Sequence, residues 1–245
     1  MAIEGATLSP WHIKVQVTPE LATDAFDTIE LVDTEYHFKE LLCEIYPEQD
    51  FQNKTFLDCA CNCGAYCFWA RSVGFNYCYG FDVREHWIKQ AEWLKENIRT
   101  GPTDRIQFNK LDLYNLKRQN LPKFDLTLFK GLFYHLADPI KGLQIAADLT
   151  KEVLIVNTRT KTNLPKNCFF IQEEPKEESD LLSGVDGLSF IPSGPEALIK
   201  LLKWMGFVRF DISFHNQTQN YGRTQVIAYR KQAPITFKQT KKIKI

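Results

Sequence analysis

At 245 residues, 44% of them hydrophobic, with 30 basic side chains against 30 acidic ones, the chain suits one large α/β domain, alone or with an appendage. The balanced charge excludes a global attraction to nucleic acid or an anionic membrane and leaves room only for local basic patches. The opening M-A-I-E-G-A-T-L-S-P has no basic segment followed by an apolar run, and no apolar stretch nears the roughly 20 residues that cross a bilayer, so a cytoplasmic chain with no membrane partner and free thiols is expected.

In chain order, W-H-I-K-V-Q-V at 11–17 alternates like a short strand. Residues 33–46 read as a helix with Phe38, Leu41, Leu42 and Ile45 on one face. A regular alternation then begins. T-F-L-D-C-A at 55–60 is a buried strand entering a turn at 62–64, and the helix after it ends at Gly74. A second strand and helix follow at 77–83 and 85–97, where Trp87 and Trp93 read as packing residues. A third strand spans 105–113. A fourth begins at Phe124 and runs into a loop ending at Leu136. Asp138 is the expected N-cap of a helix at 139–149, with Pro139 at its first position, and a fifth strand spans 152–158. This order predicts an α/β fold, Rossmann-like and doubly wound, with a mainly parallel sheet.

Residues 158–192 break the alternation. They are polar and turn-rich, with an acidic run E-E-P-K-E-E-S-D, and read as an insertion that helps close a pocket. S-G-P-E is a capping box, with Ser193 as N-cap and Glu196 three residues on, opening a helix that closes at Gly206. Two β runs at 207–214 and 224–230 form an antiparallel pair at the sheet edge. Residues 1–50 are then an N-terminal extension or lid, 51–232 the main domain, and 233–245 a mobile basic tail.

The stretch 58–67, D-C-A-C-N-C-G-A-Y-C, carries four of the seven cysteines. A structural zinc site wants four ligands, commonly as spaced C-x-x-C pairs, and no such second pair or nearby His pair exists. Neighbouring residues at a strand end also point to opposite faces. No metal is expected. A tight turn of small residues after the first strand is what a nucleotide-type cofactor needs, because backbone N–H groups and a helix N-terminus must approach it. Asp58, Cys59, Ala60, Cys61, Asn62 and Gly64 form that turn, with the thiols acting as small apolar groups. Asp82 ends the second strand, where a carboxylate can accept from both ribose hydroxyls, with Val83 beside it. Asp112 follows the third strand, placed to accept from an adenine amino group, with Leu111 and Leu113 flanking the ring. Each Asp alone is equally a turn or capping residue.

With these residues in place, the sequence resembles a class I S-adenosylmethionine (SAM)-dependent methyltransferase from about residue 55 to 230. Residues 58–64 fill the family's D-x-G-x-x-x-G frame, with Ala60 at the first glycine. A narrower resemblance rests on C-N-C-G-A-Y, on F-K-G-L-F-Y-H-L-A-D-P-I and on W-H-I-K-V. These are similar to the branch that holds the tRNA wobble-uridine (hydroxyuridine) methyl- and carboxymethyltransferases and related small-molecule enzymes. The resemblance implies a seven-stranded sheet with an antiparallel last strand, SAM as cofactor, and methyl transfer to a small-molecule acceptor at oxygen, either hydroxyl or carboxylate. Modification of a tRNA wobble uridine is the alternative, and a non-catalytic SAM-binding module a second. Whether the SAM is itself modified stays open.

Tyr134 and His135 leave the fourth strand where transfer must occur. His135 is the candidate base, or else a histidine tying the loop to backbone carbonyls. Tyr134 lines the pocket or merely packs. Lys130 faces the cofactor or a substrate anion, or is a snorkelling surface lysine. Trp11, His12 and Lys14 form a lid over the acceptor, or a packed β segment.

Overall fold

The computed structural model of the chain describes residues 8–24, 34–174 and 181–232. Its strands and α-helices run β1 (Gln16–Thr18), β2 (Leu21–Ala22), α1 (Thr34–Ile45), β3 (Thr55–Cys59), α2 (Ala65–Val73), β4 (Tyr77–Asp82), α3 (Glu85–Asn97), β5 (Ile106–Lys110), β6 (Phe124–Lys130), α4 (Pro139–Asp148), β7 (Thr150–Lys161), β8 (Phe169–Glu173), β9 (Leu188–Pro192), α5 (Pro195–Trp204), β10 (Arg209–Gln217) and β11 (Tyr221–Tyr229). Seven strands form one sheet in the order β10-β11-β7-β6-β3-β4-β5. β5, β4, β3, β6 and β7 are parallel, and β11, the last in the chain, runs antiparallel to both its neighbours. No helix among the described residues is long and apolar enough to cross a membrane.

The inner strands are buried along nearly their whole length, which is why they are mostly apolar. Successive side chains alternate between two cores. Phe56 and Leu128 pack with Phe38, Leu42, Trp69 and Leu94 on the face of α1, α2 and α3. Leu57, Cys59 and Phe129 pack with Leu143, Leu198 and Leu202 on the face of α4 and α5. Asp58 and Lys130 therefore share the first face at the ends of adjacent strands. The chain turns outward in opposite directions from β3 to β4 and from β6 to β7. This switch opens a crevice beyond the C-terminal ends of β3 and β6, the place where open α/β sheets bind ligands.

Several expectations need correction. The fifth strand is twelve residues long, because pairing with β11 continues as far as Tyr221 opposite Lys161, so the insertion begins after Lys161. The insertion carries its own antiparallel pair, β8 with β9. Ser193 is not the N-cap of α5. Its Oγ accepts from the Cys168 amide at 3.2 Å and fastens the two ends of that hairpin, while Gly194 takes the cap position without a side-chain bond. Of residues 11–17, only Gln16 and Val17 belong to a strand, β1. Asp138 does cap α4, accepting from the Lys141 amide at 3.2 Å. The tail 233–245 and most of the acidic run, 175–180, lie outside the described residues.

Candidate active site

The loop after β3 is shaped by its backbone. Ala60, Asn62 and Gly64 all have positive φ, at 58°, 54° and 78°. Asn suits that conformation, and its Oδ1 accepts from the Cys63 amide at 2.7 Å. Gly64 is required twice over: a Cβ there would stand 2.4 Å from the Phe108 ring, at a φ that side chains disfavour. The cysteines are packing groups. Cys61, Cys63 and Cys67 join the core on the α2 face, and Cys59 joins the opposite one. Burial pushes all four thiols up, Cys63 to about 12. They are neutral and unreactive at pH 7.

The loop borders a cavity of about 870 Å³. Asp82 lies at one wall, nearly buried. Its Oδ2 accepts from the Asn62 amide at 3.0 Å and its Oδ1 from the Arg84 amide at 3.0 Å. Burial raises its carboxyl, opposed by these backbone bonds. Lone pairs remain for a diol. Val83, Leu111 and Leu113 add apolar lining. Asp112 also lines the cavity, but its Oδ1 caps the turn Leu113–Gln119 through the Tyr114 amide at 2.7 Å. Asp58 forms part of the floor. Its Oδ2 is buried and makes no hydrogen bond, and burial, then Asp82, push its carboxyl well above the usual range while Lys130 opposes. A buried carboxyl oxygen with no donor invites a ligand that brings one, such as an ammonium.

Across the cavity stand Lys130, Tyr134 and His135. Phe133–His135 form a single helical turn, held where Ser189 of β9 donates to the Tyr134 carbonyl. The His135 Nδ1 lies 2.9 Å from Oε1 and 3.1 Å from Oε2 of Glu174, just past β8. The Gly184 amide donates to the same carboxylate at 3.2 Å. Nδ1 is therefore assigned the proton, leaving Nε2 as the basic nitrogen. Burial lowers the His135 pKa, Glu174 opposes this, and Arg159 and Arg223 lower it further. The neutral imidazole is thus the resting form near pH 7, and the arrangement suits removal of a proton from a bound hydroxyl. His135 is not merely tied to backbone carbonyls: its described partner is a carboxylate.

Of the expected lid residues, His12 lines the cavity. Trp11 is buried against Trp93 instead, with ring centroids 5.8 Å apart, and Lys14 is exposed and outside the lining. Cys59 faces away, while Ala60, Cys61 and Asn62 line the cavity. Trp87 also lines it. Three residues that sequence reasoning missed are Glu174, Arg159 and Arg223. Arg159 and Arg223 carried a weak signal, polar residues alternating beyond the apolar part of a strand, whereas Glu174 sat in an acidic run with no pattern.

A methyltransferase domain family model matches residues 50–185, more than half of the chain. The chain is 27% identical over 188 residues to a tRNA U34 carboxymethyltransferase of Campylobacter fetus subsp. fetus, covering 74% of this chain and 61% of that protein. It is 26% identical over 202 residues to the tRNA U34 carboxymethyltransferase of Pseudomonas putida, covering 82% and 57%. The chain thus spans only about three-fifths of the length of these relatives. Among solved structures, the N-terminal domain of EvdMO1, determined in the presence of SAH (S-adenosylhomocysteine) and D-fucose, superimposes with a TM-score of 0.75 at 18% identity, covering 94% of this chain and 95% of that one. The magnesium protoporphyrin IX methyltransferase of Synechocystis PCC 6803 with bound SAM gives 0.55 at 16% identity, covering 82% and 81%. At these identities the structural likeness concerns the fold.

Proposed function

The chain belongs to the class I SAM-dependent methyltransferases, and from that premise we propose that it methylates a hydroxyl oxygen of a small-molecule acceptor, with His135 as general base. The observation that carries this reading is the His135–Glu174 pair at the mouth of the switch-point crevice.

When bound, SAM supplies an electrophilic methyl group on its sulfonium. The residues present fit it. Asp58 would offer its unpartnered oxygen to the ammonium, Asp82 would accept from the ribose hydroxyls, and Val83, Leu111 and Leu113 would hold the adenine. Asp112 would contribute its remaining oxygen to the adenine edge.

His135 accepts the acceptor's hydroxyl proton at Nε2. Glu174 fixes the tautomer and stabilises the imidazolium that forms. Tyr134 walls the acceptor side. A carboxylate nucleophile would need no base, so a buried base held by a carboxylate favours a hydroxyl. The buried free thiols suit a reducing compartment such as the cytoplasm.

One observation favours a second reading, modification of a tRNA wobble uridine. Arg159, Lys161 and Arg223 form a basic rim interleaved with Tyr221, with Lys161 Nζ 4.0 Å from that ring's centroid. The rim is short and the chain's net charge is zero, so the small-molecule reading leads. The test is incubation of the protein with methyl-labelled SAM and host extract split into RNA and small-molecule fractions. Label in the small-molecule fraction supports the leading reading, and label in the RNA overturns it.

A further inference from the structure

Arg84 breaks a local rule. It occupies the N-cap of α3 with an extended backbone, yet its side chain caps nothing. Ser, Thr, Asp and Asn are favoured at that position, and a cation is disfavoured beside the positive end of the helix dipole. Local conflicts of this kind collect at functional sites. The side chain is committed elsewhere: Nη2 donates to the Ser183 carbonyl at 2.9 Å, across 99 residues of chain. The backbone amide of the same residue donates to Asp82 Oδ1 at 3.0 Å. One residue thus joins the wall that carries Asp82 to the insertion.

Residues 181–186 run as a strap along the cavity, and all six line it. Leu182 and Val185 keep 38% and 47% of their surfaces exposed, so apolar burial does little to hold the strap and polar ties matter. Arg84 supplies one tie. At the far end, the Ala137 amide donates to Asp186 Oδ2 at 3.1 Å. Between them, the Gly184 amide donates to Glu174 Oε2 at 3.2 Å, and the other oxygen of that carboxylate lies 2.9 Å from His135 Nδ1. The fit is close: a Cβ on Gly184 would stand 2.6 Å from the His135 carbonyl oxygen and 2.7 Å from Glu174 Oε2. A strap lifted off this seat withdraws the amide that orients the carboxylate.

We propose that Arg84 is a positioning residue for methyl transfer: its bond to Ser183 seats the strap, and the strap's Gly184 amide orients Glu174 so that His135 presents a bare Nε2 to the acceptor. This rests on the reading of His135 as base. The bond from a guanidinium to a carbonyl is charge-assisted and stronger than a neutral one, which suits a tie on a segment with little apolar anchorage. The tautomer of an imidazole is set by the hydrogen bond its other nitrogen makes. Without an oriented Glu174, the ring's own preference for a proton on Nε2 returns, and that atom can no longer accept the hydroxyl proton. The same arginine touches Asp82 through its amide, so the geometry of the base is tied to the wall that would receive the ribose.

The test reads the tautomer and needs no acceptor: ring nitrogen NMR of the full chain at about pH 8, above the ordinary imidazole range, with His135→Gln to identify the His135 signals. The parent should carry the His135 proton on Nδ1. Arg84→Met should lower the ratio of Nδ1–H to Nε2–H tautomer by about tenfold, the worth of one charge-assisted bond. Arg84→Lys, which keeps a cationic donor, should recover most of that ratio. Asp186→Ala frees the other end of the strap and should move the ratio in the same direction as Arg84→Met. The His37 and His215 signals should stay in place throughout, which separates release of the strap from general loosening. The parent's ratio in Arg84→Met would overturn the role, and Arg84→Lys behaving as Arg84→Met would overturn its assignment to the Ser183 bond. Matching shifts at His37 and His215 would reduce Arg84 to a stabilising residue and overturn the proposal. A parent with its proton on Nε2 overturns the His135–Glu174 arrangement and the base itself, a result distinct from these.

Discussion

The His135 Nδ1 stands 2.9 Å from a Glu174 oxygen, although 39 residues separate the two and Glu174 lies within the insertion. The contact brings the insertion into the candidate active site. His135→Ala is expected to lower kcat by about 10²–10⁴-fold, the usual worth of a positioned base, with SAM affinity nearly unchanged. Glu174→Gln should cause a smaller drop in kcat. A parallel loss of SAM affinity in calorimetry would instead indicate a collapsed pocket.

The pH profile follows from the same pair. As the proposed base, His135 would act as the neutral imidazole, and its pKa lies below the ordinary 6.5 because burial outweighs Glu174, with Arg159 and Arg223 acting in the same direction as burial. The rate should therefore rise as pH climbs through a midpoint below 6.5 and be flat above it. Glu174→Gln removes the carboxylate charge that raises the pKa, so its acid limb should move to lower pH. A profile of kcat against pH checks both the midpoint and the direction of the move.

Asp82 tests the cofactor side. Its side chain already accepts two backbone amides, and ribose hydroxyls would add hydrogen bonds to a charged group worth about 1.5–3 kcal/mol. Asp82→Ala should weaken SAM binding by about 10- to 150-fold at 25 °C. Unchanged affinity in calorimetry would remove Asp82 from the site.

Gly64→Ala addresses the loop. The added Cβ meets the Phe108 ring at 2.4 Å in a left-handed backbone, which should cost about 1–3 kcal/mol of stability. A lowered midpoint in chemical denaturation is the readout.

The cysteines provide a separate check. Five of the seven are buried, while Cys43 and Cys168 are partly exposed. In the folded protein a thiol reagent should label at most those two, and all seven after denaturation.

The inner strands were legible because burial on both faces leaves a run of apolar residues, as in V-L-I-V at 153–156. Asp58 and Asp82 were legible as cavity residues, and Gly64 as a turn residue, because they sit where local chain geometry puts them, at a strand end or in a tight turn. The acceptor side was not, since Glu174 reaches His135 from a hairpin and Arg159 meets Arg223 through long-range strand pairing. Glu174 left no pattern, and the alternation around Arg159 and Arg223 does not show that the two meet. The Ser193 capping signal misled for a related reason: a tertiary partner, the Cys168 amide, took the side-chain oxygen that local rules assign to the helix. Lys14 matched a resemblance in sequence, but its position in the chain leaves it in solvent.

The most direct measurement is methyl transfer from labelled SAM to the small-molecule fraction by the parent protein and by His135→Ala, followed by mild alkali. The expected result is label in that fraction, strongly reduced by the substitution and stable to alkali as an ether. Label in the RNA fraction, release by alkali as from a methyl ester, or equal transfer by the variant would contradict base-assisted methylation of a small-molecule hydroxyl.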